Sequence, residues 1–228
     1  MLIKAMGRDR ARATHGKTEL RRASVYPARE DTYLLAPFAE GTAGLRVLDV
    51  GTGNGYLALT AARSGARVVA TDLNPVALRE LARVARREGL PIETIRTDLA
   101  RGTGRFDRIL ANPPYLPTPH DAPDPDPMDR LALDGGPDGC RVTARLFAQL
   151  AEHLAAGGIA YVLASSLQDP MEMESLLIDW RTRGGEVDEV AHRDFEGERL
   201  RVLRAHLRGN GPALASSAAE PRPDAPHG

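Results

Sequence analysis

Apolar residues fall along this chain in two alternating rhythms. Short apolar runs at 47–50, 67–71, 92–96, 106–111 and 159–164 have the length of buried strands. Longer stretches with helical spacing lie between them. One starts at Tyr56 after a cluster of glycines; another spans 75–88, with Pro75 in its first turn and Gly89 after its last residue, the usual asymmetry of helix ends. A third, 138–156, places Val142, Leu146, Phe147, Leu150 and Leu154 at helical spacing and stops at Gly157-Gly158, and a fourth spans 170–183. Residues 30–40 read as a short helix or helical lid. The last two apolar runs, 186–192 and 200–207, are joined through Phe195-Glu196-Gly197-Glu198. That leaves no room for a helix and predicts a β-hairpin.

Strands alternating with helices and closed by a hairpin define an α/β architecture, a mostly parallel seven-stranded sheet with one antiparallel strand in a C-terminal β-hairpin. Open sheets of this kind bind ligands at the carboxyl ends of their strands. The residues that follow each strand are therefore the first candidates for chemistry. The regular pattern bounds a domain at 25–208. Residues 1–24 lack periodicity and are expected to form a mobile arm, and 209–228, rich in Gly, Pro, Ala and Ser, a disordered tail.

Two strand ends stand out. Asp49-Val50-Gly51-Thr52-Gly53-Asn54-Gly55 follows the first strand, where glycines permit a tight turn and close approach of a ligand to the backbone. The spacing is G-x-G-x-G, whereas the dinucleotide fingerprint is G-x-G-x-x-G. A carboxylate at Asp49 would repel a pyrophosphate and suits a cation such as the sulfonium and amino groups of S-adenosylmethionine. Asp72, ending the second strand, is placed to accept the ribose hydroxyls. Asp98, ending the third, is placed to accept from the adenine amino group, with the Leu99 N–H reaching the ring. Strand ends also recruit aspartates as turn and cap residues, but three acids closing three successive strands around a glycine loop favour S-adenosylmethionine over NAD.

The second is Asn112-Pro113-Pro114-Tyr115, directly after the fourth strand. Its prolines fix two φ angles, and it sets an amide and an aromatic ring at the strand end. An amide or aromatic amino nitrogen is a poor nucleophile because its lone pair is delocalised. The Asn112 side-chain oxygen and the Pro113 carbonyl can each accept one N–H of a target –NH₂, with Tyr115 packed on the planar group. Such catalysis needs positioning and fixed dipoles rather than a strong base. Carbon methylation of cytosine would need a cysteine nucleophile, and Cys140, the single cysteine, sits on a predicted helix. Lysine methylation needs a base for an amine of pKa ~10.4, which Asn112 cannot be.

Composition narrows the picture further. One cysteine excludes an internal disulfide and a thiolate-rich zinc site. His15, His120, His153, His192, His206 and His227 are scattered singly, so no metal site is expected. No apolar run approaches ~20 residues, and nothing resembles a signal peptide, so a soluble cytoplasmic protein is expected. The formal charge of −1 hides an asymmetry. Residues 1–24 carry Lys4, Arg8, Arg10, Arg12, Lys17, Arg21 and Arg22 against Asp9 and Glu19. Residues 120–138 carry Asp121, Asp124, Asp126, Asp129, Asp134 and Asp138 against Arg130. This acidic stretch follows Tyr115 and is expected to rim the site, where it would repel phosphates and admit a basic protein loop. Nucleic acid is then expected to be touched only indirectly, through the basic arm.

The segments Val25-Tyr26-Pro27-Ala28-Arg29-Glu30-Asp31-Thr32, Leu48-Asp49-Val50-Gly51-Thr52-Gly53, Asn112-Pro113-Pro114-Tyr115 and Leu133-Asp134-Gly135-Gly136-Pro137-Asp138-Gly139 resemble the release-factor glutamine N5-methyltransferases, the HemK/PrmC-like family. Asn-Pro-Pro-Tyr alone is shared with adenine-N6 methyltransferases; the Leu133–Gly139 segment is more specific to the protein-glutamine group. The chain looks like the short archaeal and eukaryotic-type branch, without the N-terminal helical domain of long bacterial members. The resemblance implies a Rossmann-like class I methyltransferase fold, S-adenosylmethionine as cofactor, and Thr32 as a further cofactor contact. It also implies a target glutamine in the Gly-Gly-Gln loop of a translation release factor and, for some members of the branch, a small zinc-binding activator subunit. The residues themselves leave two rivals, an adenine-N6 methyltransferase for DNA or RNA and a low-activity binding subunit with the same fold.

Overall fold

The computed structural model describes residue 25, residues 27–118 and residues 132–209. The basic arm, residues 210–228 of the tail, Tyr26 and the acidic positions Asp121, Asp124, Asp126 and Asp129 lie outside the described residues. Seven strands form one sheet: β1 (Arg46–Val50), β2 (Arg67–Asp72), β3 (Ile92–Arg96), β4 (Phe106–Ala111), β5 (Leu154–Ser165), β6 (Gly185–Phe195) and β7 (Glu198–Leu207). Their order is β3-β2-β1-β4-β5-β7-β6. The pairs β1–β2, β1–β4, β2–β3 and β4–β5 are parallel, while β7 runs antiparallel to both β5 and β6. This is the expected mostly parallel α/β sheet with its C-terminal hairpin.

The sheet is covered on both sides, which is why its strands read as continuous apolar runs. Leu48 and Val50, Ile109 and Ala111, and Val162 and Ala164 pack with the helices α4 (Arg141–His153) and α5 (Pro170–Thr182). Val47, Val68, Ala70, Leu110 and Leu163 face the other way, with α1 (Glu30–Leu35), α2 (Tyr56–Arg63) and α3 (Pro75–Glu88). Period-2 alternation then turns Asp49, between Leu48 and Val50, toward the α2 side. Helix starts follow local chemistry. The Asn74 side chain accepts from Val76 N–H before α3, and Asp169 accepts from Met171 and Glu172 before α5.

Several boundaries differ from the sequence pattern. Residues 30–40 split into α1 and a 3₁₀ turn, Ala36–Ala39, with Pro37 inside it. Here the Arg108 guanidinium donates to the Phe38 and Glu40 carbonyls and lies over Tyr161, which stacks on Phe38 at 4.4 Å. α4 starts at Arg141 rather than 138, because the Asp138 carboxylate instead accepts from the Cys140 N–H at 2.6 Å. β5 begins at Leu154, before the glycine pair, since Leu154 already faces Phe106; the register then shifts. A Cβ at Gly158 would stand 2.6 Å from the Phe106 carbonyl oxygen, so a glycine is needed at this irregularity.

Candidate active site

Strand order reverses between β1 and β4, and sheets of this kind form their ligand crevice at the carboxyl ends of the strands beside such a switch point. Val50 pairs with Ala111 in that register, so the next residues, Gly51 and Asn112, emerge side by side. The two motifs singled out in the sequence, 60 residues apart, thus share one strand-end crevice. Gly51 has φ 68°, and a Cβ there would meet nothing within 4 Å, so its open side is free for a ligand. Gly55, with φ 82°, starts α2 under pressure from Leu81, which a Cβ would meet at 2.6 Å.

Asp49 lies inside this loop rather than on its surface. Its Oδ2 accepts the Thr52 hydroxyl at 2.6 Å and the Ala58 N–H at 3.0 Å, tying the loop to the first turn of α2. Burial pushes its carboxyl up from 3.8 to about 6, against the opposing pull of the Thr52 and Ala58 hydrogen bonds; Asp72 adds a smaller upward push. Asp72 reaches across to the same loop. Its Oδ2 accepts the Gly53 N–H at 2.9 Å and its Oδ1 the Asn74 N–H at 2.8 Å. Each oxygen keeps a second lone pair, so the carboxylate can still accept ribose hydroxyls. Leu73, left out of the sequence reading, exposes 43% of its surface directly after Asp72, an apolar side chain open to solvent at the end of β2. Its signal was only an apolar residue directly after a strand-end acid.

Asp98 is half-buried and ion-paired to Arg145 of α4 through Oδ2, which leaves Oδ1 without a partner among the described residues. Leu99 has φ 57° and is the one non-glycine residue with positive φ among those described. This donor and acceptor set suits the adenosyl group of S-adenosylmethionine: an open glycine cradle, two lone-pair-bearing oxygens at Asp72 and a free carboxylate oxygen at Asp98. Thr32 is buried in α1, with its hydroxyl on the Asp31 carboxylate at 3.2 Å. No direct hydrogen bond joins it to the glycine loop. Its neighbour Tyr33 meets Tyr56, the first residue of α2, edge-on at 5.4 Å, so α1 leans on the loop's exit.

On the other side of the crevice, Asn112 is half-buried and no hydrogen bond with a described residue occupies its side chain. Pro113 is buried, and Tyr115 packs against the α1-side core. The 133–139 segment runs alongside. Leu116 N–H donates to the Leu133 carbonyl, Gly135 N–H to Leu116, and Thr118 N–H to Gly136. Asp134 caps its own turn through Gly136 N–H at 2.8 Å and pairs with Arg141 at 3.1 Å. Burial opposes its charged form, but the Gly136 N–H, the Thr118 hydroxyl and Arg141 together hold its carboxyl below the usual range. The glycines allow this close fit, since a Cβ at Gly139 would stand 2.5 Å from the Tyr115 carbonyl oxygen.

Gln168, also missed by sequence reasoning, locks the segment down. It is 2% exposed; its amide donates to the Gly139 carbonyl at 3.0 Å and the Thr143 hydroxyl at 3.2 Å, and accepts from Ser165 N–H at 3.0 Å. Nothing in its sequence surroundings marks it. Cys140 is buried, with its thiol pushed up to about 11 chiefly by that burial, and is no nucleophile at neutral pH. Among the described residues no group of three or more His, Cys, Asp or Glu side chains is placed to hold a metal ion, and no helix is long and apolar enough to cross a membrane.

Residues 30–122 match the methyltransferase small domain family. A Methanocaldococcus jannaschii protein, proposed to be a protein N5-glutamine methyltransferase, is 34% identical over 183 residues, covering 79% of this chain and 91% of that protein. The release factor glutamine methyltransferase of Deinococcus radiodurans is 40% identical over 174 residues, covering 72% of this chain and 59% of that protein. Among solved structures, the E. cuniculi Mtq2–Trm112 complex, described as responsible for methylation of the eRF1 translation termination factor, matches with TM-score 0.62 and 26% identity. That match covers 81% of this chain and 99% of the matched one.

Proposed function

The chain belongs to the short HemK-like branch of the protein-glutamine methyltransferases, and we propose that it methylates the side-chain amide nitrogen of a glutamine in the Gly-Gly-Gln loop of a translation release factor. The observation that carries this reading is the pairing of Val50 with Ala111, which sets the Gly51 loop beside an Asn112 amide that no described residue occupies, with the 133–139 segment hydrogen-bonded along the Asn112 loop. The named relatives support the substrate class: one is a release factor glutamine methyltransferase, and another is part of a complex that methylates a termination factor.

S-adenosylmethionine, bound over Asp72, Asp98, Leu99 and the Gly51–Gly53 loop with Thr32 nearby, would supply an electrophilic methyl group. Asn112 Oδ1 and the Pro113 carbonyl accept the two N–H groups of the glutamine amide and hold its nitrogen at the crevice. Tyr115 and Pro114 wall the planar amide. Holding both N–H groups fixes the nitrogen's orientation and stabilises the positive charge that grows there, which is catalysis by positioning and fixed dipoles. Formation of the N–C bond, with the methyl–sulfur bond breaking so that the sulfonium leaves as a neutral thioether, would make one N–H proton acidic, and that proton would pass to solvent; no residue in the crevice has to act as a strong base.

A small partner subunit belongs to the same proposal, supported by the Mtq2–Trm112 pairing of the solved relative; that it binds zinc and activates rests on the family resemblance. The test is transfer of a labelled methyl group to a release factor and to the same factor with its Gly-Gly-Gln glutamine replaced. Label that tracks the glutamine supports the reading. Label that ignores it, or that appears on oligonucleotides, overturns it.

A further inference from the structure

Helix α4 presents three polar side chains, each four residues from the last, to a single loop. Arg145 ion-pairs with Asp98. Gln149 Oε1 accepts the Ala100 N–H at 3.1 Å. His153 Nδ1 lies 3.0 Å from the Gly104 carbonyl oxygen and 3.3 Å from the Thr103 hydroxyl. Residues at this spacing share one helix face, so the helix grips the 98–104 loop at three successive points. The loop needs such a grip. Leu99 sits at φ 57°, a conformation that costs a leucine free energy unless its surroundings impose it. The tie at Ala100 and the tie at Asp98 flank that residue on both sides.

We propose that Arg145 is a positioning residue for adenine recognition: by taking Asp98 Oδ2 it turns Oδ1 toward the cofactor's amino group, while Gln149 fixes the neighbouring Leu99 N–H. This rests on the reading that Asp98 accepts from the adenine amino group. An ion pair this exposed (Arg145 is 45% exposed) adds little to folding. Its consequence is directional instead. A carboxylate free to rotate shares its oxygens with water, whereas one held by a guanidinium offers a fixed acceptor.

The measurement is calorimetric titration of the purified protein with S-adenosylhomocysteine and with its analogue carrying unsubstituted purine in place of adenine. The wild type is expected to prefer adenine about tenfold, the worth of one well-placed charge-assisted hydrogen bond. Arg145→Met should cut that preference below about threefold while leaving affinity for the purine analogue and the melting temperature unchanged. Arg145→Lys, which keeps the charge but not the planar fork, should fall between. A merely structural role would weaken both ligands alike, and that result overturns the proposal. So does an intact preference in Arg145→Met. Asp98→Ala separates the two levels: if it too keeps the preference, the assignment of Asp98 fails. If it alone loses the preference, only the role of Arg145 fails.

Discussion

The Gly53 N–H donates to Asp72 Oδ2 at 2.9 Å, so the glycine loop after β1 is clamped to the end of β2 by the same carboxylate that faces the proposed ribose. Shape of the cradle and chemistry of its contact therefore depend on one side chain. Asp72→Ala is expected to lower cofactor affinity about 100-fold, as two charge-assisted hydrogen bonds at about tenfold each imply. It should also cost about 1–3 kcal/mol of stability, because the Gly53 and Asn74 N–H groups lose their acceptor. Titration and denaturant unfolding of the same variant measure both. Affinity within about threefold of wild type would remove Asp72 from the cofactor site.

Asn112 contrasts with Asp72 because its side chain hydrogen-bonds no other described residue. Asn112→Ala is expected to lower kcat on the protein substrate by about 10²–10³-fold, the usual cost of a lost preorganised dipole. Cofactor affinity should stay within about threefold, since the proposed ribose and adenine contacts, Asp72 and Asp98, lie at the ends of β2 and β3. Equal losses in turnover and in cofactor binding would mean that the amide serves the cofactor instead of the target nitrogen.

The sequence carried the sheet and the two motifs for identifiable physical reasons. The central strands, covered on both faces, must be built from apolar runs, and a two-residue turn at Glu196-Gly197 cannot hold a helix, so the middle of the sheet and the hairpin were both legible. Asp49 was legible as an acid beside the loop. Its inward direction was not, because it depends on which face of β1 meets α2. Leu99 carries no local signal for its left-handed backbone; its neighbours Asp98 and Ala100 are tied to α4 by contacts 47 and 49 residues apart in sequence. Gln168 is a lone buried amide whose partners, Gly139, Thr143 and Ser165, come from the 133–139 segment, α4 and β5, and only packing brings them together.

Asp49 gives a pH signature. Its carboxyl is raised from 3.8 to about 6 in the folded protein, so between those values the folded state holds the proton more tightly than the unfolded chain. Stability contributed by this group is then full below about pH 4 and is lost as pH rises through about 6, by roughly 3 kcal/mol for a shift of about two units. Both of its hydrogen bonds go to one oxygen, Oδ2, so the amide oxygen of Asn can replace it without losing either. Asp49→Asn should therefore melt above the wild type at pH 8, with the gap closing toward pH 4. A gap equal at the two pH values would show that the buried charge is not its source.

The last prediction concerns the fit between the 133–139 segment and the Asn112 loop. Gly139 has φ 76°, and a Cβ there would stand 2.5 Å from the Tyr115 carbonyl oxygen. Gly184 has φ 85° with nothing within 4 Å of such a Cβ, and it precedes β6 at the amino end of that strand, on the far side of the sheet from the crevice. The two positions share backbone strain and differ in the clash, so Gly184→Ala isolates the first from the second. Each change should cost about 1 kcal/mol or more through φ alone, and Gly139→Ala about 1–3 kcal/mol beyond that from overpacking. Displacing Tyr115 by even an ångström should also misplace the Asn112 and Pro113 acceptors, at a cost on the order of 10²-fold in turnover. The expected result is that Gly139→Ala loses turnover on the protein substrate with cofactor affinity retained, while Gly184→Ala keeps both. If the two variants lose turnover alike, the loss reflects general stability and the segment's contact with Tyr115 has no part in catalysis.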